Sequence, residues 1–254
     1  MIAVSSPVFS MLNFEMALGF VSQKFEAWEI VGESLHFLPE IRRDFRDIAP
    51  SFEMRFSAHA PLSDVNIASL NPRIREAAVK EVIDGLNAAA EMEFATYTVH
   101  PGFWSPAGVL DRDAVHRAVS ASLGAIDKAS HEVGMKVALE NMPEGPYTMG
   151  KTPEDLFAML EDTDLGVCFD VGHANTANSI EGFLEHSGRF INVHVHDNNG
   201  RSDEHLPVGN GTVDFKRVVE GLKGYAGNLV IEAKSMPEAE LSKARLEALT
   251  TFSS

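Results

Sequence analysis

Short apolar or β-branched runs alternate with longer amphipathic stretches from one end of this 254-residue chain to the other, and eight such pairs can be counted. The runs lie at residues 2–5, 27–31, 54–59, 94–100, 136–140, 165–170, 190–196 and 228–233. Their length and their content of Val, Ile, Ala and Phe are those of buried strands. The clearest helical stretches between them are 71–92 and 111–133. Asn71-Pro72 offers an N-cap followed by proline at the first helical position, and Thr152-Pro153-Glu154 repeats that start signal. Strict strand–helix alternation calls for a parallel sheet. Eight units in this length match a closed barrel, whereas an open doubly wound sheet more often has about five or six strands and a Gly-rich first turn. The first turn here, Ser5-Ser6-Pro7-Val8-Phe9, has no glycine. The expected fold class is therefore α/β, a single (β/α)8 TIM barrel. No low-complexity linker, charge block or near repeat divides it, so one domain is expected over residues 1–254.

Composition narrows the chemistry. With 44% hydrophobic and 23% charged residues the chain can build a sizeable core. It has no apolar run long enough to span a bilayer, and it starts on a strand-like segment in place of a basic and apolar leader, so a cytoplasmic protein without membrane contact is expected. The one cysteine, Cys168, excludes an internal disulfide and a Cys-rich zinc site, which leaves imidazole and carboxylate as metal ligands. A formal charge of -16 disfavours DNA, whose affinity rests on Lys and Arg contacts to phosphates.

Position is what marks the polar residues. His59, His100, Glu140, Asp170, His194 and Glu232 fall at or next to the ends of expected strands three to eight; His173 follows Asp170 by three residues, and Asp203 and His205 follow His194. In a barrel that is the catalytic face. Singly, each has an ordinary role open to it: a strand-terminal histidine anchors loops, and Asp170 or Asp203 could cap a helix or form a turn. Jointly, nine such side chains converge on one small volume, where packed carboxylates stay ionised only with cations between them. Oxygen and imidazole donors suit a divalent metal, and the share of imidazole points to zinc or manganese. His36, His116, His131 and His186 lie in helix-like stretches and are read as packing or surface residues, Cys168 as a buried thiol, and Trp28 as packing. Trp104, just beyond His100, is a candidate substrate wall.

The segments SAHAPL, VHPG, LEN, FDVGHA, HVHD, DEHLPVGNG and IEA, in this order at these strand ends, make the chain resemble the xylose-isomerase-like TIM-barrel superfamily over almost its whole length. That group holds sugar and sugar-phosphate isomerases and epimerases as well as the endonuclease IV family. In the isomerase branch the resemblance implies one divalent ion on Glu140, Asp170, His194 and Glu232. The two glutamates then serve as acid and base, moving a proton through a metal-stabilised enediolate. In the endonuclease branch it implies three zinc ions: His59, His100 and bridging Glu140 for the first, Asp170, His194 and bridging Glu232 for the second, and His173, Asp203 and His205 for the third. The loop Ala60-Pro61-Leu62-Ser63-Asp64 lacks the aromatic-aliphatic wedge that the endonuclease family inserts into DNA. Isomerase-like relatives also carry the Asp-x-His-Leu-Pro-x-Gly-x-Gly segment. The expectation is thus a sugar or sugar-phosphate isomerase or epimerase with one to three ions, the alternatives being a trinuclear zinc phosphodiesterase and a non-catalytic metal- or ligand-binding barrel. Lys234, two residues beyond Glu232, is a candidate for a substrate phosphate or oxyanion, and His196 for substrate or for orienting His194. A homo-oligomer is compatible with this reading, since barrels of this kind are often dimers or tetramers.

Overall fold

The computed structural model describes residues 1–251; the last three residues of the domain expected over 1–254 lie outside the described residues. Eight strands, β1 Ile2–Ser5, β2 Ala27–Val31, β3 Arg55–His59, β4 Tyr97–Val99, β5 Val137–Glu140, β6 Gly166–Asp170, β7 Phe190–Val195 and β8 Leu229–Glu232, pair in sequence order. All are parallel, and β8 closes on β1 through Ile2–Leu229 to Ser5–Glu232. This is the expected (β/α)8 barrel.

The helices are α1 Phe14–Val21, α2 Leu38–Ile48, α3 Pro72–Glu91, α4 Arg112–Val133, α5 Pro153–Met159, α6 Val171–Thr176, α7 Ile180–Leu184, α8 Phe215–Gly221 and α9 Met236–Thr251. Asn71 Oδ1 accepts from the amides of Arg73 and Ile74, and Thr152 Oγ1 from that of Asp155, so both start signals act as N-caps. Among the described residues no helix is long and apolar enough to cross a membrane.

Strand alternation sorts the side chains into two layers. On β6, Phe169 packs at a tilt against Phe183 of α7 and stacks on Phe190; Cys168 and Asp170, on the other side of the strand, face the barrel interior. On β2, Trp28 stacks on Phe14 of α1, which turns Glu29 inward. The main apolar core therefore lies between strands and helices, and the interior is free to carry polar groups at its mouth. Strand β4 is shorter than the expected 94–100 and leaves His100 just past its end. Pro101 has no amide to extend the ladder, and Gly102 turns the chain with φ +91.

Candidate metal centre

The ligand-type residues occupy one layer at the top of the barrel. His59, Glu140, Asp170 and Glu232 are the last residues of β3, β5, β6 and β8, His194 is next to last on β7, and His100 follows β4. Strand β6 runs straight into α6, with Asp170 as its N-cap. The Oδ1 of Asp170 accepts from the His173 amide at 2.6 Å, while its buried Oδ2 has no hydrogen-bond partner. The capping role foreseen as the ordinary one for this residue is thus met by Oδ1 alone, which leaves Oδ2 free.

All nine expected ligands are brought together, in groups whose donor atoms lie within 4.8 Å of one another: His59, His100 and Glu140; Asp170, His194 and Glu232; and His173, Asp203 and His205, joined by His196. Glu140 Oε2 lies 3.0 Å from His59 Nε2 and 3.2 Å from His100 Nε2. Its Oε1 is 3.3 Å from His194 Nδ1, the atom that Glu232 Oε1 approaches at 3.3 Å from the other side chain. Asp203 Oδ2 is 3.3 Å from His173 Nε2 and 3.0 Å from His205 Nε2. The remaining nitrogens of His59 and His173 are held by the carbonyls of Ala60 at 2.8 Å and Asn141 at 2.9 Å. Such bonds place the proton on Nδ1 and leave Nε2 as the donor toward a cation, an arrangement typical of metal-binding histidines.

The charges fit a divalent ion. Burial by itself raises the Glu140 carboxyl, but the imidazoles of His194 and His100 outweigh it and hold the group well below the usual carboxylate range. Asp170 is lowered to about 2 by His173 and His196 against the same burial. Conversely, Asp170 and Asp203 lift His173 to about 10 and, together with Glu232, His205 is lifted to about 9, both despite desolvation. Without a cation the carboxylates are balanced by imidazolium protons; a bound metal ion replaces those protons. Asp170 Oδ2 and the Nδ1 atoms of His100 and His196 are buried without a hydrogen-bond partner, and a free carboxylate oxygen among imidazoles is what a site built for a bound cation leaves.

Several residues of the site have no signal in strand-end position. Glu29 on β2 is fully buried, and its carboxylate takes hydrogen bonds from His194 Nε2 at 2.7 Å, Ser57 Oγ at 3.0 Å and Asn192 Nδ2 at 2.7 Å. The available sequence cue was a lone Glu inside the apolar run Ala-Trp-Glu-Ile-Val. Asp197 accepts from the amides of Asn198, Gly209, Gly211 and Val213 and so ties down the loop that carries Asp203 and His205. Gly172 is required for packing: a Cβ there would lie 2.0 Å from His196 Cε1.

Of the residues expected to meet substrate, His196 sits in the third ligand group, 3.3 Å from Asp203 Oδ1 and stacked on His205 with centroids 4.0 Å apart. Trp104 is half-buried and its ring contacts are with α4, His116 edge-on at 5.5 Å and the Arg112 guanidinium at 5.3 Å. Lys234 is exposed beyond β8. His36 is fully buried against Phe14 and Trp28, a packing role.

Comparison with known proteins agrees with this architecture. An uncharacterized protein of Methanocaldococcus jannaschii, MJ1311, is 37% identical over 257 residues, covering 94% of this chain and 86% of its own. The crystal structure of a D-tagatose 3-epimerase-like protein superposes with a TM-score of 0.92 at 34% identity, covering 99% of this chain and 97% of that one. A probable endonuclease 4 of Mycobacterium leprae is more distant, 26% identical over 206 residues, covering 76% of this chain and 78% of its own. The family model described as the Xylose isomerase-like TIM barrel matches residues 20–252. The chain belongs to that family.

Proposed function

We propose that this protein is a divalent-metal-dependent isomerase or epimerase of a sugar or sugar phosphate, acting by proton transfer at the carbon beside a ketone. The observation that carries the reading is the convergence of Glu140 and Glu232 on one atom, His194 Nδ1, at 3.3 Å each, with Asp170 Oδ2 at 3.9 Å. These four residues would hold one ion, zinc or manganese by donor type. When bound, a divalent ion polarises a substrate carbonyl and its neighbouring hydroxyl and acidifies the C–H between them. The two glutamates supply the proton traffic: one carboxylate removes the proton to give an enediolate and the other returns one. Glu140 is enclosed by imidazoles, whereas Glu232 keeps 15% of its side chain exposed and is the carboxylate more open to a substrate. The 34% identity to a D-tagatose 3-epimerase-like protein supports a ketose as the substrate class. In deuterated solvent, ketoses, ketose phosphates or hydroxypyruvate should gain deuterium at that carbon, and Glu232→Gln should lower the exchange by at least ~100-fold, the usual size of an acid–base contribution. A panel that takes up no deuterium from metal-loaded enzyme would sink the reading.

A second reading is favoured by one observation, the assembly of all nine ligands of a trinuclear phosphodiester hydrolase. Against it stand the net charge of -16 and the wedge-free loop at residues 60–64, which leave little to hold and open a duplex. Nicking of a duplex with an abasic site, together with three zinc ions per chain by metal analysis, is the result that would select it.

A further inference from the structure

One carboxylate lies deeper in the barrel than any of the nine ligands. Ser57, Thr98 and Asn192 each precede a ligand histidine by two residues, at His59, His100 and His194, and so point inward one layer below them. Glu29 lies in the same layer, paired in register with Ser57. Burying a carboxylate there costs several kcal/mol unless it is paired and fully hydrogen-bonded. Its Oε2 is pinned by Ser57 Oγ and Asn192 Nδ2, and Asn192 is steadied in turn by Thr98 Oγ1 at 2.9 Å. This leaves Oε1 to a single partner, His194 Nε2, at 2.7 Å.

An imidazole that gives its Nε2 proton to a carboxylate presents Nδ1 as the lone pair, and Nδ1 of His194 is the atom that faces Glu140, Asp170 and Glu232. The contrast with its neighbours is chemical: His59 and His173 are steered by neutral backbone carbonyls, while His194 is backed by a full negative charge. An anionic partner both fixes the ring and raises the basicity of the coordinating nitrogen.

We propose that Glu29 is a positioning residue for the core cation: by accepting the Nε2 proton of His194 it locks that ring in the Nδ1-donating orientation and sets the affinity of the Asp170–His194–Glu232 position for a divalent ion. Glu29 lies below the ligands and touches no substrate. The inference rests on the metal-dependent reading above, and its test separates the two.

Wild-type protein and Glu29→Gln, which keeps the shape and removes the charge, are titrated with Zn²⁺ against a chromophoric chelator. The expected result is a loss confined to one ion, roughly 10- to 100-fold weaker in the variant, with any other ions bound as before. In the zinc-loaded wild type, ¹⁵N spectra of the histidine rings should show His194 protonated at Nε2 and bare at Nδ1. Unchanged zinc affinity in the folded variant, or the opposite tautomer, overturns the inference alone. A wild-type chain that binds neither Zn²⁺ nor Mn²⁺ overturns the metal-dependent reading with it. If Glu29→Gln does not fold, Ser57→Ala decides: removing one of the two bonds that hold Oε2 loosens the carboxylate and should weaken the same ion several-fold, and no change overturns the inference.

Discussion

Single residues in this barrel carry two tasks through two atoms. Asp170 caps α6 with Oδ1 and leaves Oδ2 to the cluster, and His194 turns one nitrogen to Glu29 and the other to Glu140 and Glu232. Not every buried histidine is part of that economy. His36 is fully buried between Phe14 and Trp28, and burial depresses its pKa from 6.5 to about 4. Because the folded value is the lower one, the unfolded chain takes up the proton first as the medium is acidified. Stability from this group is complete above pH 6.5 and is lost as the pH falls toward about 4. The loss amounts to up to roughly 3 kcal/mol. Urea unfolding of wild type and His36→Phe between these limits should show that part of the pH slope vanish in the variant; equal slopes would assign it to other groups.

Among elements, the loop between β7 and α8 does most to complete the site. It carries Asp203 and His205, and His205 is held at φ +45, a conformation a non-glycine residue adopts only when its surroundings compel it. The compulsion comes from Asp197, which accepts four backbone amides and pairs with Leu206 through bonds of 2.7 and 2.8 Å. Gly211 lets the chain pass, since a Cβ there would sit 2.2 Å from the Asn198 carbonyl. Asp197→Ala should therefore cost at least about 3 kcal/mol, as several bonds to a buried charge are lost. It should also weaken any ion held by His173, Asp203 and His205 while sparing one on Glu140, Asp170, His194 and Glu232. Thermal denaturation and metal analysis of the variant check both parts. The two clearest helix starts were legible because Asn71-Pro72 and Thr152-Pro153 act locally. The extent of β4 was less so: residues 94–96 look like strand by composition, but the described strand begins only at Tyr97.

For the whole molecule, the closing of β8 on β1 turns six strand ends, the start of α6 and one loop into a single polar cluster on an otherwise apolar scaffold. An ion that binds this cluster only when it is assembled stabilises the fold by mass action, about 2.7 kcal/mol at a hundredfold excess over its Kd. In a domain of this size that corresponds to a Tm rise of roughly 5–10 °C. Calorimetry of the chain before and after chelator treatment, then with Zn²⁺ or Mn²⁺ restored, should show this shift; a Tm indifferent to both would argue against cations at the cluster.

Strand number, order and inward face were legible in the sequence because they follow from local rules: a two-residue side-chain period and strict alternation of strands with helices. The same rules singled out the nine ligand-type residues, since a strand's end in a parallel barrel lies on a known face. Local rules alone do not decide which of these side chains share an atom's reach; the family resemblance implied the groups, and barrel closure between residues far apart in the chain brings them together. Glu140 meets His59 across 81 positions, and Glu29 meets His194 across 165. Glu29 is a lone charge inside the apolar run of β2, which local rules do not assign to any site; only the folded barrel, by bringing β2 opposite β7, supplies the donors that make a buried carboxylate tolerable there.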